Sequence, residues 1–212
     1  MQSKSQIINC YNLTAAKYAD NYFHELDHKH LDRILLGYFA NENKAKGQIL
    51  DLGCGPGQTT AFVYALGVHD ILGTDISPVM IEKARELNPN IKFETADMLR
   101  LQYADEQFGS VIAFYAIVHF TEDELATALT EIYRVLKPTG QFLFSFHIGN
   151  QIIHLDTFLN ETVSIDFHFF EAETVIQLAT SCGFKVVDII ERKPYPEVEY
   201  PSDRAYVWLE KE

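Results

Sequence analysis

Lysine and arginine are scarce in this chain: they number 17 against 30 aspartates and glutamates in 212 residues, a formal net charge of -13 at pH 7 with histidine neutral. A nucleic-acid reader needs a basic face, so no nucleic-acid partner is expected. Cysteine is also rare. Cys10, Cys54 and Cys182 stand far apart, which gives neither a zinc spacing nor a disulfide framework and fits a reducing, cytoplasmic setting. No run of about 18 apolar residues occurs, so no membrane span is expected. Met1-Gln2-Ser3-Lys4-Ser5 leads into no signal-peptide core. Internal repeats and low-complexity tracts are missing too. What is present is 47 % hydrophobic residues, enough for a single domain over residues 1–212 with a sizeable core.

The rest of the chain is organised around Ile49-Leu50-Asp51-Leu52-Gly53-Cys54-Gly55-Pro56-Gly57-Gln58-Thr59-Thr60. It reads as a short buried strand, a glycine turn and a helix start. Glycine takes positive φ and lets backbone lie against a ligand. A helix N-terminus offers free N–H groups and partial positive charge to an anion. The dinucleotide fingerprint would need a third glycine where Gln58 stands. No Gly-Lys-Ser/Thr follows, which argues against a phosphate loop. Further strands are expected over 70–75, 91–95, 108–114 and 184–190, with a fifth strand through 141–146 and a last one over 204–209. Helices are expected at 11–20, 78–88, 122–136 and 171–182, and an amphipathic one with Leu31, Ile34, Leu35 and Phe39 toward the core. Asp75 ends the second strand 18 residues past Gly57, where an acidic side chain in a nucleotide-binding βαβ unit accepts hydrogen bonds from both ribose hydroxyls. His24-Glu25-Leu26-Asp27-His28 matches the zinc pattern H-E-x-x-H, but no third ligand follows at a family spacing. It reads as a solvated helix face, and no metal site is expected.

The string Asp51 to Thr60 closely resembles motif I of class I S-adenosylmethionine-dependent methyltransferases. Arg134-Val135-Leu136-Lys137-Pro138-Thr139-Gly140 resembles that family's R-x-L-K-P-G-G turn, with Thr139 in place of glycine, tolerable if its φ is negative. The resemblance implies an α/β, Rossmann-like fold: a mostly parallel seven-stranded sheet of order 3-2-1-4-5-7-6, last strand antiparallel, helices on both faces. It implies S-adenosyl-L-methionine as cofactor and a small-molecule methyl acceptor as partner, in a monomer or homodimer.

Site residues follow from the same resemblance. Gly53, Gly55 and Gly57 would let the backbone approach the methionyl part. Asp51 would order the turn or receive the amino group. Ile76 and Met80 would lie against adenine, Asp97 would accept its amino group, and the Met98 backbone would reach a ring nitrogen. Phe114 would form cofactor wall. Tyr18, and second Tyr11, would touch the cofactor from a helical lid over residues 1–46. Residues 147–170 would cap the substrate. His119, Tyr115 and His147 are the catalytic candidates; His119 could equally be a structural histidine bonded to backbone. Two rivals stay open: a non-catalytic binding module with this fold, and an NAD(P)-dependent oxidoreductase with a shortened glycine loop.

Overall fold

The computed structural model describes residues 2–212. Helix α1 (Lys4–Tyr22) and helix α2 (His30–Asn43), separated by a 3-10 turn (Glu25–His28), precede the sheet. Then β1 (Ile49–Leu52), α3 (Gln58–Ala65), β2 (Ile71–Asp75), α4 (Pro78–Leu87), β3 (Lys92–Thr95), β4 (Phe108–Phe114), α5 (Glu122–Val135) and β5 (Leu136–His147) follow. The chain closes with β6 (Ile152–Phe158), β7 (Glu161–His168), α6 (Ala172–Ser181), β8 (Phe184–Arg192) and β9 (Arg204–Lys211).

The seven-stranded sheet has the order β3-β2-β1-β4-β5-β9-β8. β1 to β5 pair in parallel, and β9 runs antiparallel to both of its neighbours. With β6 and β7 set aside as a separate antiparallel hairpin, this is the expected order. β1 is fully buried, as a central parallel strand with helices on both faces must be. Strand order reverses between β1 and β4, so a crevice opens at their carboxyl ends. Residues 147–170, expected as a substrate cap with a strand or extended segment at 165–170, contain this hairpin.

Local signals fix the helices. Thr121 and Glu124 form a capping box at the start of α5, satisfying two orphan N–H groups. Ser77 accepts from the Met80 N–H at 3.1 Å and Pro78 follows it, starting α4. Helix α1 begins at Lys4, well before the expected Tyr11, because Ser3 and Gln6 form a second capping box. In α2 the inward face is Leu36, Phe39 and Ala40, while Ile34 is 66 % exposed. Phe39 meets Trp208 of β9 ring to ring at 5.1 Å, which sets the helix rotation.

Thr139 departs from expectation, with φ at +59°. A β-branched residue there is strained by about 1–2 kcal/mol. Thr139→Gly is expected to stabilise the protein by roughly 0.5–1 kcal/mol after the entropy cost of glycine. A urea midpoint that rises with unchanged slope would bear this out.

Helix α1 joins two parts of the molecule. Cys10 packs with Val163 and Ile165 of the hairpin, and Lys17 pairs with Glu161 at 2.7 Å. Toward the sheet, Asn12 accepts from the Ser77 hydroxyl at 2.7 Å, and Lys4 pairs with Asp97. Among the described residues, no helix is long and apolar enough to cross a membrane.

Candidate active site

A cavity of about 400 Å³ lies at the carboxyl ends of the strands, roofed by α1 and the hairpin. Its size falls within the range of small-molecule sites. Tyr11, Tyr18, Asp51, Gly53, Gly55, Asp75, Ile76, Met80, Asp97, Met98, Phe114, Tyr115, His119 and His147 all line it. Gly57 does not. It caps α3 with φ at +89°, and a Cβ there would stand 2.8 Å from the Phe93 ring. Its positive φ makes the turn, and the glycine packs closely on Phe93.

The turn is held by two carboxylates. Asp51 Oδ2 accepts from the Thr60 hydroxyl at 2.6 Å, which ties the strand to the first turn of α3. Asp75 Oδ2 accepts from the Gly55 N–H at 3.0 Å, and Oδ1 from the Ser77 N–H at 2.8 Å. Burial pushes the Asp51 carboxyl up to about 7 and that of Asp75 to about 6, although hydrogen bonds oppose the shift. Asp97 Oδ1 accepts from the Leu99 N–H at 3.0 Å while its other oxygen meets Lys4.

Tyr11, Tyr18 and Tyr22 form an aromatic stripe along α1, with ring centroids 6.0 Å and 4.6 Å apart in turn. The Tyr18 ring stands 3.8 Å from where a Gly55 Cβ would be.

His119 is buried and doubly bonded. Its Nδ1 faces the Asp166 carbonyl at 2.8 Å and must donate to it, so Nε2 carries the lone pair. That lone pair accepts from the Tyr11 hydroxyl at 2.7 Å. Burial lowers the His119 imidazole to about 4 and raises the Tyr11 phenol well above its usual value. Both groups are therefore neutral at pH 7. His147 is likewise held near 4, first by burial and then by the charges of Arg204 and Lys29. Its Nδ1 meets the Ser202 hydroxyl at 2.7 Å.

The H-E-x-x-H string is a 3-10 turn, not an α-helical face. His24 is exposed, as a solvated side chain should be, but Glu25 turns inward to pair with Lys29 and with Gln58 at 3.1 Å. No group of three or more metal-ligating side chains occurs among the described residues. Sequence reasoning missed Glu25, Lys29, Asp32, Glu199 and Arg204, all of which line the cavity. Residues 25–32 and 199–204 meet only in the fold, so no local spacing could reveal them.

Comparison with known proteins agrees with this geometry. Residues 49–140 match the family model described as a methyltransferase domain. The uncharacterized methyltransferase YcgJ of Bacillus subtilis is 31 % identical over 124 residues, covering 56 % of this chain and 48 % of that protein. A demethylmenaquinone methyltransferase of Chlorobaculum parvum is 33 % identical over 99 residues, 47 % of this chain and 40 % of that one. The crystal structure of the PH0226 protein of Pyrococcus horikoshii matches with a TM-score of 0.64 at 27 % identity, covering 79 % of this chain and 82 % of that chain. The chain spans about half the length of the curated relatives it matches. Over residues 49–140 the chain is similar to the methyltransferase-domain family, and its fold is the Rossmann-like one of the class I S-adenosylmethionine-dependent methyltransferases.

The residues present fit that family's cofactor. Asp75 offers a buried acceptor beside a glycine turn whose Gly53 and Gly55 take positive φ. Gln58 Oε1 is buried at the start of α3 without a hydrogen-bond partner. An ammonium group would supply the missing donor.

Proposed function

We propose that the chain transfers a methyl group from S-adenosylmethionine to a small molecule held between β4, β5 and the hairpin. The observation that carries this reading is Asp75, bonded to the Gly55 N–H at the mouth of a cavity that continues past β4 to β5. When bound, the cofactor supplies a methyl group on positively charged sulfur, already activated for in-line displacement with a neutral thioether leaving. The protein's task is then mostly proximity and alignment.

Asp75 would hold the ribose, Asp97 the adenine amino group, and the turn at Gly53 and Gly55 the methionyl part. Tyr18 and Tyr11 would close over it from the helical lid. His119 and His147 are weak bases at neutral pH, since a group near 4 is far from the pKa that general-base catalysis favours. His119 would instead align the roof: Tyr11 from α1 and Asp166 from the hairpin meet on one imidazole. An acceptor that is already unprotonated at its nucleophilic atom suits such a site. The net charge of -13 disfavours nucleic acid as the acceptor.

Calorimetric titration with S-adenosylmethionine and S-adenosylhomocysteine is the first test, followed by a turnover screen over metabolites that reads S-adenosylhomocysteine release. Micromolar binding and turnover are expected. Heat from NADH alone would overturn the reading in favour of an oxidoreductase. Cofactor binding without turnover would favour a binding module.

A further inference from the structure

Resting on the methyltransferase reading, we propose that the methyl acceptor carries a carboxylate, held by Arg204 and Lys29 where β5 ends and β9 begins. Among the described residues, these two are the cations on the cavity wall. The cofactor side is lined instead by Asp51, Asp75 and Asp97, and a cofactor without phosphate has no need of a cation.

Arg204 is only 2 % exposed, yet its donors are poorly used. Nη1 bonds the Ser202 carbonyl at 2.6 Å. Nε lies 3.2 Å from Glu199 Oε1 but lacks hydrogen-bond geometry and is buried without a partner. Glu199 is already served fork to fork by Arg192, at 2.7 and 2.9 Å. A buried guanidinium with unfilled N–H groups is costly unless an oxygen arrives to fill them. Its planar fork suits a carboxylate.

The surroundings agree. Arg204 stands directly across from His147 in the sheet. The Tyr115 ring lies 4.9 Å from Lys29 Nζ and 5.8 Å from the Arg204 guanidinium. Tyr115 holds φ at +54°, a strained backbone for a bulky residue, fixed by its N–H to the Ser145 carbonyl at 3.1 Å. Such strain persists where the surroundings impose it, and it clusters at ligand sites. Phe169 stacks on His147 at 5.0 Å, giving the ligand's body an aromatic wall.

Charge sets the valence of the guest. Glu25, Asp32 and Glu199 share this wall with the two cations, and Arg192 stands behind them. Three carboxylates against three cations leave no surplus for a dianion such as phosphate. Of the three cations only Arg204 keeps a buried donor without a partner, which suits a single carboxylate.

The test uses the full chain saturated with S-adenosylhomocysteine, titrated with benzoate and with its neutral isostere benzamide. Benzoate is expected to bind, and benzamide roughly tenfold or more weakly. Arg204→Gln should bring benzoate down to the benzamide level without changing S-adenosylhomocysteine affinity. Lys29→Met should weaken benzoate as well, and serves if Arg204→Gln fails to fold. Equal binding of the two probes, no benzoate binding at tens of millimolar, or undiminished benzoate binding in both variants would overturn the proposal. Failure of the unaltered protein to bind S-adenosylhomocysteine would instead sink the methyltransferase reading itself.

Discussion

Asp75→Asn is expected to weaken S-adenosylhomocysteine binding by roughly two orders of magnitude while the chain stays folded. Both Asp75 oxygens already accept a backbone N–H, from Gly55 and from Ser77. A carboxylate keeps lone pairs for two further donors, as a ribose diol would supply. An amide has one oxygen, and its NH2 group would face one of those two N–H groups. Hydrogen bonds to a charged acceptor contribute about 1.5–3 kcal/mol each, so losing one or both gives the expected factor. Asp75→Ala should be worse for folding, because it leaves two buried N–H groups unpaired.

The same carboxyl gives the pH dependence its sign. Burial raises Asp75 to about 6 in the ligand-free protein. Its contribution to stability is therefore present below the unfolded value near 4 and is lost as pH rises through about 6. Hydroxyl donors favour the ionised form, so ligand binding lowers this pKa and expels a proton. Affinity should then fall below pH 6, approaching about tenfold per unit. Calorimetry between pH 5 and 8 would read it, and Asp75→Asn should flatten the profile. A parent protein with pH-independent affinity over that range would refute the assignment of Asp75 as the charged acceptor. Asp51, raised to about 7, shows the same exchange of stability for a buried carboxyl beside the turn.

How much of this was legible in the sequence varied with the range of the interactions. The glycine turn, the strand before it and the caps at Ser77 and Thr121 rest on neighbours within four residues, and their chemistry can be read locally. Of the hairpin only an extended segment at 165–170 was legible, not its pairing or its turn. Its two-residue turn is Leu159-Asn160, both at positive φ, between the paired Phe158 and Glu161. Such a turn usually announces itself with Asn-Gly or Asp-Gly; leucine at a left-handed position hides the signal. The charged end of the cavity was invisible for a different reason. Arg192, Asp32 and Tyr206 form one network across 160 residues of chain or more, with Tyr206 donating to Asp32 at 2.6 Å. Only the return of β9 antiparallel beside β5 brings them together, and that return was known from the resemblance alone.

Gly53→Ala is expected to lower the melting temperature by roughly 6–12 °C and to abolish cofactor binding. Gly53 has φ at +69°, a conformation that costs an alanine about 1–2 kcal/mol. The added Cβ would also stand 2.4 Å from the Ala116 Cβ, in the segment that follows β4. Neither atom can swing away, since each is one bond from backbone. Relief must come from parting the glycine turn from the end of β4, and both lie on the cavity wall. The two costs are separable. In Gly53→Ala/Ala116→Gly the nearest remaining atom is the residue 116 Cα at 3.4 Å, an ordinary contact. The double variant should recover the steric part of the loss and keep the backbone part, returning about half of the stability and a measurable share of the binding. If it melts no higher than the single variant, the left-handed backbone accounts for the whole cost. Full recovery would mean that contact with Ala116, and not the conformational freedom of glycine, is what residue 53 requires.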